Sequence, residues 1–196
     1  MNKHNNLVLV GGGGHAKACY DVIVMENKFK VIGYFDKSET QLSNLDVKYL
    51  GDDSIIDDYI LNHSFLVCVG QIKNSSVREK IFNNLRKKNA KIPSIISPLS
   101  YVSPSSKIGD GTIIMHGVII QSNSSIGNNC IINDKALIEH DCIIKDNTHI
   151  STSVTINGDC IVGSNTFIGS GTIINNGISI SSNKIIPSGE LIKKNI

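Results

Sequence analysis

The stretch LIEHDC, residues 137–142, places three ionisable side chains next to one another between apolar neighbours. These side chains are Glu139, His140 and Asp141. A histidine titrates near neutral pH, so His140 could accept a proton from an attacking nucleophile as a general base. A neighbouring carboxylate such as Asp141 would orient the ring and favour its protonated form. The residue types therefore indicate a proton-handling site, provided that the fold exposes them.

The sequence around this group has a period of six residues. From Ile108 to Ile192, every sixth position holds Ile or Val. The position four residues after each of these is mostly small, and it includes Cys130, Cys142 and Cys160. This is the hexapeptide pattern of a parallel β-helix, in which both positions point into a prism. The resemblance to hexapeptide-repeat proteins implies triangular coils of three hexads, which would give about five coils over this region.

The register of the repeat decides which side chains near His140 face outward. Ile138 and Cys142 occupy the two inward positions, so the three residues between them must lie on the outer surface. Flat prism faces make poor pockets, which favours a site in the cleft between two packed prisms of an oligomer. The five cysteines lack a CxxC motif, which argues against disulfides and a zinc ribbon and favours buried free thiols.

The first half of the chain alternates strand and helix patterns, which indicates a short parallel sheet. The predicted strands are 7–10, 30–36 and 64–71, and the predicted helices are 15–25 and 75–89. In the second helix, Ser76 is the predicted N-cap, and Val77, Ile81 and Leu85 form the predicted apolar stripe. The composition changes near residue 95, so the predicted domains are 1–95 and 96–196.

A glycine-rich loop follows the first predicted strand. Gly11, Gly13 and Ala16 match G-x-G-x-x-A, and Asp36 ends the next strand, which is formally the dinucleotide fingerprint. The domain is about half the size that a doubly wound dinucleotide fold needs. We therefore expect the loop N–H groups and the helix N-terminus to face the phosphates of one sugar-bearing nucleotide diphosphate. Glycines that only make a tight turn, or an NAD-dependent enzyme, are the alternatives.

The composition excludes several classes of partner. The formal net charge is +2, so no strong field favours nucleic acid or anionic lipid. No apolar run approaches the roughly 20 residues of a membrane-spanning helix. The apolar run at 7–10 is too short for a signal peptide. These features predict a cytoplasmic protein that binds neither nucleic acid nor a membrane.

The order of the motifs resembles a known family. A GGGGHAK loop, strand ends YFD and CVGQ, and hexapeptide repeats with IEHDC and THIS are similar to the NeuD/PglD-like sugar acyltransferases of bacterial surface-glycan pathways. The resemblance covers nearly the whole chain. It implies an α/β, Rossmann-like half domain followed by an all-β left-handed parallel β-helix. It also implies a homotrimer with sites between subunits.

The resemblance implies acetyl transfer from acetyl-CoA, as co-substrate, to the amino group of a nucleotide-linked amino sugar, with a UDP-type nucleotide expected. O-acetylation of a sialic-acid-type sugar is the alternative within this class. His140 is implied to be the general base and Asp141 its support. The residues implied to contact acetyl-CoA are His149, Ser153 and Gly171. The residues implied to contact the nucleotide sugar are Gly13, Gly14, His15, Asp36, Gly70 and Asn133.

In this interpretation the amine attacks the thioester directly, without a covalent enzyme intermediate. His149 or a backbone N–H could donate a hydrogen bond to the thioester oxyanion. Two alternatives of other classes stay open. A zinc hydratase would place its metal on His116, His140 and His149, although no metal site is expected here. A non-catalytic module that only binds nucleotide sugars is the second.

Overall fold

The structure is a computed structural model that describes residues 5–196, with the backbone alone for Gln41. Its first part is an α/β unit whose strands are mainly apolar. The elements are β1 (Asn5–Val10), α1 (Gly14–Glu26), β2 (Phe29–Phe35), β3 (Tyr49–Gly51), β4 (Ser64–Val67) and α2 (Ser76–Lys87), with 3-10 helices at Gln41–Leu45 and Asp53–Tyr59. All strands of this sheet are parallel and lie in the order β3-β2-β1-β4.

The central strand β1 is buried on both faces of the sheet. Leu7 and Leu9 pack with the residues of α1, whereas Val8 and Val10 pack with Phe82 of α2. A strand that is covered by helices on both faces has no solvent-facing side, so its sequence is continuously apolar. The predicted strand–helix alternation is therefore confirmed, although β3 has no counterpart in the sequence prediction.

Helix α2 corrects two predictions. Its N-cap is Ser75 without a side-chain cap, and the Oδ1 of Asn74 accepts the Ser76 N–H instead. The predicted apolar stripe is confirmed in part: Leu85 is buried and Ile81 packs against the same core, but Val77 is exposed. The buried face of the helix also includes Arg78 and Phe82. A buried arginine carries no hydrophobic signal, so the periodicity of α2 could not reveal this face.

The second part is a prism built from two-residue strands, each of which pairs in parallel with the strand one coil later. The strands are β5 (Ile95–Ile96), β6 (Tyr101–Val102), β7 (Lys107–Ile108), β8 (Ile113–Ile114), β9 (Ile119–Ile120), β10 (Ser125–Ile126), β11 (Ile131–Ile132), β12 (Leu137–Ile138), β13 (Ile143–Ile144), β14 (His149–Ile150), β15 (Thr155–Ile156), β16 (Ile161–Val162), β17 (Phe167–Ile168), β18 (Ile173–Ile174), β19 (Ser179–Ile180), β20 (Ile185–Ile186) and β21 (Leu191–Ile192).

These strands form three sheets, which we name by their order along each coil. The first face contains β5, β8, β11, β14, β17 and β20, the second face starts at β6, and the third face starts at β7. Successive strands of one face are three hexads apart, as in the pairing of Ile108 with Ile126. The predicted triangular coil of three hexads is therefore confirmed.

The interior of the prism contains the two predicted inward positions. The aliphatic ladder is buried from Ile114 to Ile186, and Cys130, Cys142 and Cys160 are buried beside it as free thiols. Glycine directly follows the aliphatic position where two coils come close. A Cβ on Gly163 would lie 2.4 Å from the Ser182 nitrogen of the next coil.

The α/β unit packs on the first face of the prism. Outward side chains of that face, including Ile95, Ile113 and Ile131, share one apolar cluster with α1 and β1. Ile96, the next residue, packs instead against the prism interior. The domain boundary at residue 95 stays a prediction. Within residues 5–196, no helix is long and apolar enough to cross a bilayer.

Candidate active site

His140 lies on the corner between the second and third faces, where the predicted outward register places it. Its side chain is 59% exposed. The ring Nδ1 lies 2.7 Å from the Oδ2 of Asp141. The carboxylate can only accept, so Nδ1 carries the proton and Nε2 is left free to take one. This is the tautomer that a general base needs.

Asp141 is held by the coil that precedes it. The Nδ2 of Asn123 donates to the Asp141 Oδ1 at 2.6 Å, so each carboxylate oxygen has one partner. Asp141 adopts a left-handed backbone conformation, with φ of 61°. Short Asp and Asn side chains tolerate this conformation best. The aspartate is thus long enough to reach His140 and suits the turn that it forms.

The two side chains shift one another's pKa values in opposite directions. The hydrogen bond to Asp141 raises the pKa of His140, and the charges of Asp141, Glu139 and Asp159 raise it further. The hydrogen bonds from Asn123 and then from His140 lower the pKa of Asp141. The pair therefore keeps a carboxylate beside a ring whose basicity is increased.

A pH profile tests the role of this pair. Asp141→Asn removes the charge that raises the His140 pKa and keeps a side chain that suits the turn. A general base works only when it is unprotonated, so kcat/KM should rise with pH through the His140 pKa. In Asp141→Asn, the rising part of the kcat/KM profile at acid pH (the acid limb) should move to lower pH, and the plateau value of kcat/KM should fall. Asp134→Asn, on another corner, is the control, and an unmoved limb in Asp141→Asn would contradict the assignment.

The glycine loop at the carboxyl end of β1 is built around Asp36. The Oδ2 of Asp36 accepts the Gly12 N–H at 2.7 Å, and its Oδ1 accepts the Lys37 N–H at 2.7 Å. Thr40 donates its hydroxyl to the Gly12 carbonyl at 2.7 Å. Gly11 has a φ of 106°, a backbone conformation that residues other than glycine rarely adopt. Asp36 therefore shapes the loop directly.

The next part of the loop is open. Within the described chain, no atom lies within 4 Å of the Cβ position of Gly13 or Gly14, and both glycines are exposed. Gly13 is the N-cap of α1, and the first turn of that helix contains no acidic residue. The unsatisfied N–H groups at a helix N-terminus attract anions. The loop is thus suited to a phosphate group.

A cleft of about 760 Å³ opens beside this loop, at the carboxyl ends of the strands. Its lining includes Gly11, Asp36, Lys37, Lys80 and Lys87. In open parallel sheets, ligands bind at this edge, where the strand order reverses. The lysines add positive charge, and the size suits a nucleotide.

His149 lies on the first face of the prism, beneath the α/β unit. It is 7% exposed, and its Nδ1 contacts the backbone carbonyl of Gln71 at 2.5 Å. Burial is the main cause that lowers the pKa of His149 to about 4, and the charge of nearby His15 acts in the same direction. The ring is therefore neutral at pH 7, with its proton on Nδ1, since a carbonyl can only accept.

This geometry corrects one expectation for His149. Its Nε2 carries no proton, so it cannot donate a hydrogen bond to a thioester oxyanion. The same Nε2 is buried without a partner among residues 5–196. It can accept a hydrogen bond from an N–H or O–H group of a ligand. Phe167 lies edge-on to the ring, with centroids 5.1 Å apart.

His15 and Gly70 lie between the loop and His149. The Nε2 of His15 is 3.4 Å from the Cys19 Sγ, one turn along α1. A Cβ on Gly70 would be 3.6 Å from the His15 Cβ. The structure thus brings the glycine loop, His15, Gly70 and His149 to one side of the molecule.

Asn133, Ser153 and Gly171 lie on the corner between the first and second faces. Asn133 follows the strand that pairs with the strand of His149. Ser153 and Gly171 are exposed and occupy the same left-handed turn position, with φ of 57° and 70°. This corner is distinct from the one that carries His140, so one chain divides the predicted site residues between two surfaces.

The three histidines of the zinc alternative are also apart. His116 has its Nδ1 2.7 Å from the Ser97 Oγ, His140 binds Asp141, and His149 binds Gln71. Among residues 5–196, no group of three His, Cys, Asp or Glu side chains could hold a metal ion. The spatial arrangement therefore gives the zinc hydratase no support.

Two residues that connect the α/β unit to the prism had no signal in the sequence. Arg78 is 1% exposed, and its guanidinium donates to the carbonyls of Val67 (2.6 Å), Val69 (3.0 Å) and Asn129 (3.1 Å). The side-chain Nε2 of Gln71 donates to the Asn147 carbonyl at 2.7 Å. Both contacts join residues that are far apart in the chain, so no local pattern could have indicated them.

Comparison with protein families matches both halves of the chain. Residues 6–85 match the PglD N-terminal domain, and residues 105–140 and 141–176 match the bacterial transferase hexapeptide of six repeats. The chain is 31% identical over 113 residues to UDP-N-acetylbacillosamine N-acetyltransferase of Bacillus subtilis (strain 168). That alignment covers 56% of this chain and 51% of the Bacillus protein. The chain spans about half the length, or less, of the curated relatives it matches.

Two solved structures are similar over nearly the whole chain. One is a mutant of perosamine N-acetyltransferase from Caulobacter crescentus in complex with CoA and GDP-perosamine, with a TM-score of 0.91 and 27% identity. The other is the acetyltransferase domain of PglB from Neisseria gonorrhoeae FA1090 in complex with acetyl coenzyme A, with a TM-score of 0.91 and 25% identity. Both matches cover 98% of this chain, and they cover 90% and 93% of the respective structures.

These matches confirm the fold class predicted from the sequence, an α/β half domain followed by a left-handed parallel β-helix. They also confirm the resemblance to the NeuD/PglD-like sugar acetyltransferases. Residues 6–85 are thus similar to the PglD N-terminal domain, and residues 105–176 to the bacterial transferase hexapeptide.

Proposed function

We propose that this protein transfers the acetyl group of acetyl-CoA to the amino group of a nucleotide-linked amino sugar in bacterial surface-glycan biosynthesis. The observation that carries the proposal is His140, an exposed histidine whose Nδ1 proton is held by Asp141 and whose Nε2 is free. The open glycine loop with its adjoining cleft supports a nucleotide sugar as acceptor. The relatives named N-acetyltransferases support the same reaction.

In the proposed reaction, the sugar amine attacks the carbonyl carbon of the thioester. A C–N bond forms, the C–S bond breaks, and CoA leaves as the thiolate, which is then protonated. The proton of the attacking amine passes to the Nε2 of His140, and Asp141 stabilises the resulting imidazolium. Holding the two substrates together supplies much of the rate, so no covalent enzyme intermediate is needed.

We also propose that the active protein is a homotrimer in which two chains complete each site. In one chain, His140 and the glycine loop lie on different sides of the prism, so a neighbouring chain must bring them together. Outward apolar side chains on the two faces beside His140 support such packing. These side chains are exposed in the single chain: Tyr101, Ile119, Ile173 and Leu191 on the second face, and Ile143 and Ile161 on the third.

Mixed oligomers test whether a site uses two chains. One variant is His140→Ala, and the other is Gly13→Trp, which fills the open loop without backbone strain because Gly13 has a φ of −77°. Each variant alone should keep only a small residual activity. After unfolding and refolding together, about a quarter of the sites should regain both intact halves, since each site draws its halves from two chains at random.

The control for this experiment is a chain that carries both substitutions. Mixed with either single variant, it should restore no activity. If the two single variants also fail to complement one another although they form mixed trimers, His140 and the loop must act within one chain.

The acceptor is tested by a thiol-release assay with acetyl-CoA. UDP- and GDP-linked 4-amino sugars are compared with free sialic-type sugars and with the same nucleotide sugars lacking the amine. CoA release that needs the amine would support N-acetylation, with UDP-type acceptors expected. Release with sialic-type sugars alone would favour O-acetylation. We expect this reaction in the cytoplasm, and the five buried free cysteines suit a reducing compartment.

A further inference from the structure

We propose that Gly158 is a positioning residue for His140, because its missing side chain leaves the space that the imidazole ring occupies. Gly158 lies one coil after His140 on the same corner. A Cβ at this glycine would be 2.7 Å from both the Cε1 and the Nε2 of His140. Carbon atoms cannot approach a ring this closely, so any larger residue must displace the ring. The inference rests on the proposed role of His140.

The fold itself does not require a glycine at this position. In the hexapeptide repeat, position 158 is the second residue after an inward aliphatic. The equivalent position holds a residue with a side chain in every other hexad from 108 onward. These residues are Asp110, His116, Ser122, Asn128, Asp134, His140, Asp146, Thr152, Ser164, Ser170, Asn176, Ser182, Ser188 and Lys194.

Backbone geometry gives no other reason for this glycine. Gly158 is not among the residues with positive φ, unlike Gly171 and Gly177 on neighbouring coils. The contacts of its Cβ position also differ from those of Gly163, where a Cβ would meet the backbone of the next coil. At Gly158 the three nearest atoms all belong to the His140 side chain. The His140 ring, and not the backbone of the prism, therefore explains why position 158 has no side chain.

The consequence for catalysis follows from which ring atom is involved. The Nδ1 of His140 is fixed by Asp141, so the ring turns its Nε2 edge toward the next coil. This nitrogen is the atom that accepts the substrate proton in the proposed reaction. A methyl group at position 158 would push Nε2 away from its place or break the hydrogen bond to Asp141. A displacement of about 1 Å in a reacting group can lower a rate by about 10²-fold.

The test is Gly158→Ala, with Asn176→Ala as the matched control one coil further along the same corner. We expect kcat to fall by about 10-fold to 10²-fold in Gly158→Ala, with KM for acetyl-CoA and the melting temperature little changed. The control should keep the wild-type kcat. In the His140→Ala background, the Gly158→Ala change should have no further effect on the residual rate, because the ring that it displaces is absent.

A measurement that does not depend on activity separates this inference from the proposed function. NMR titration of the His140 Cε1–H should show a pKa that moves toward the ordinary histidine value in Gly158→Ala, as the contact with Asp141 loosens. An unchanged His140 titration, or a wild-type kcat with a correctly folded variant, would overturn the positioning role. If wild-type protein shows no acetyl transfer but the titration shifts, the proposed function fails and the positioning of the ring stands.

Discussion

Replacing His140 with alanine should lower kcat for acetyl transfer by about 10²-fold or more, the usual contribution of a general base. The side chain is exposed, and its one hydrogen-bond partner among residues 5–196 is Asp141, so the fold should lose little stability. The glycine loop and its cleft lie on another side of the chain. Nucleotide-sugar binding, measured by calorimetry, should therefore be unchanged while turnover is lost.

His116→Ala is the matched control for this experiment. His116 occupies the same position in its hexad, two residues after an inward aliphatic. It lies on a different corner, however, and its Nδ1 is paired with the Ser97 hydroxyl. Turnover should stay at the wild-type level in this variant. A wild-type kcat in His140→Ala would remove His140 from the mechanism and leave a binding module as the better description.

Replacing Arg78 with alanine should destabilise the protein by about 3 kcal/mol, because several buried carbonyls would lose their donor. The guanidinium is buried, its acceptors within residues 5–196 are all backbone carbonyls, and burial lowers its pKa. Its N–H groups donate to the carbonyl of Val67 at the end of β4 and, across the interface between the α/β unit and the prism, to the carbonyl of Asn129. The melting temperature should fall by roughly 10 °C.

Arg86→Ala, on the exposed side of α2, is the control for Arg78. Arg86 lies over the Phe82 ring at 5.8 Å, a contact worth at most about 1 kcal/mol at an exposed site. Its loss should move the melting temperature by only a few degrees. Equal melting temperatures for Arg78→Ala and wild-type protein would show that water replaces the guanidinium without cost. Hydrogen exchange at the first face would then report whether the α/β unit still packs there.

The prism and the outward position of His140 follow from the sequence alone. A strand alternates its side chains between two faces, so a six-residue period with two apolar or small positions defines the inside of each coil locally. The same reasoning places Ile138 and Cys142 inside and the residues between them outside. The glycine loop was equally predictable, because its strand, turn and helix signals are adjacent in the chain.

The tertiary structure decided which surfaces meet. The α/β unit packs on the first face of the prism, and this packing brings Gln71 to His149 and Arg78 to Asn129. Nothing in the local sequence of these residues indicates which face of the prism the unit covers. That packing buries His149, lowers its pKa and sets its proton on Nδ1, which changed its expected role from donor to acceptor. It also leaves His140 on the far corner of the same chain. Local periodicity determines which side chains point outward, whereas docking between distant segments determines what each outward side chain faces.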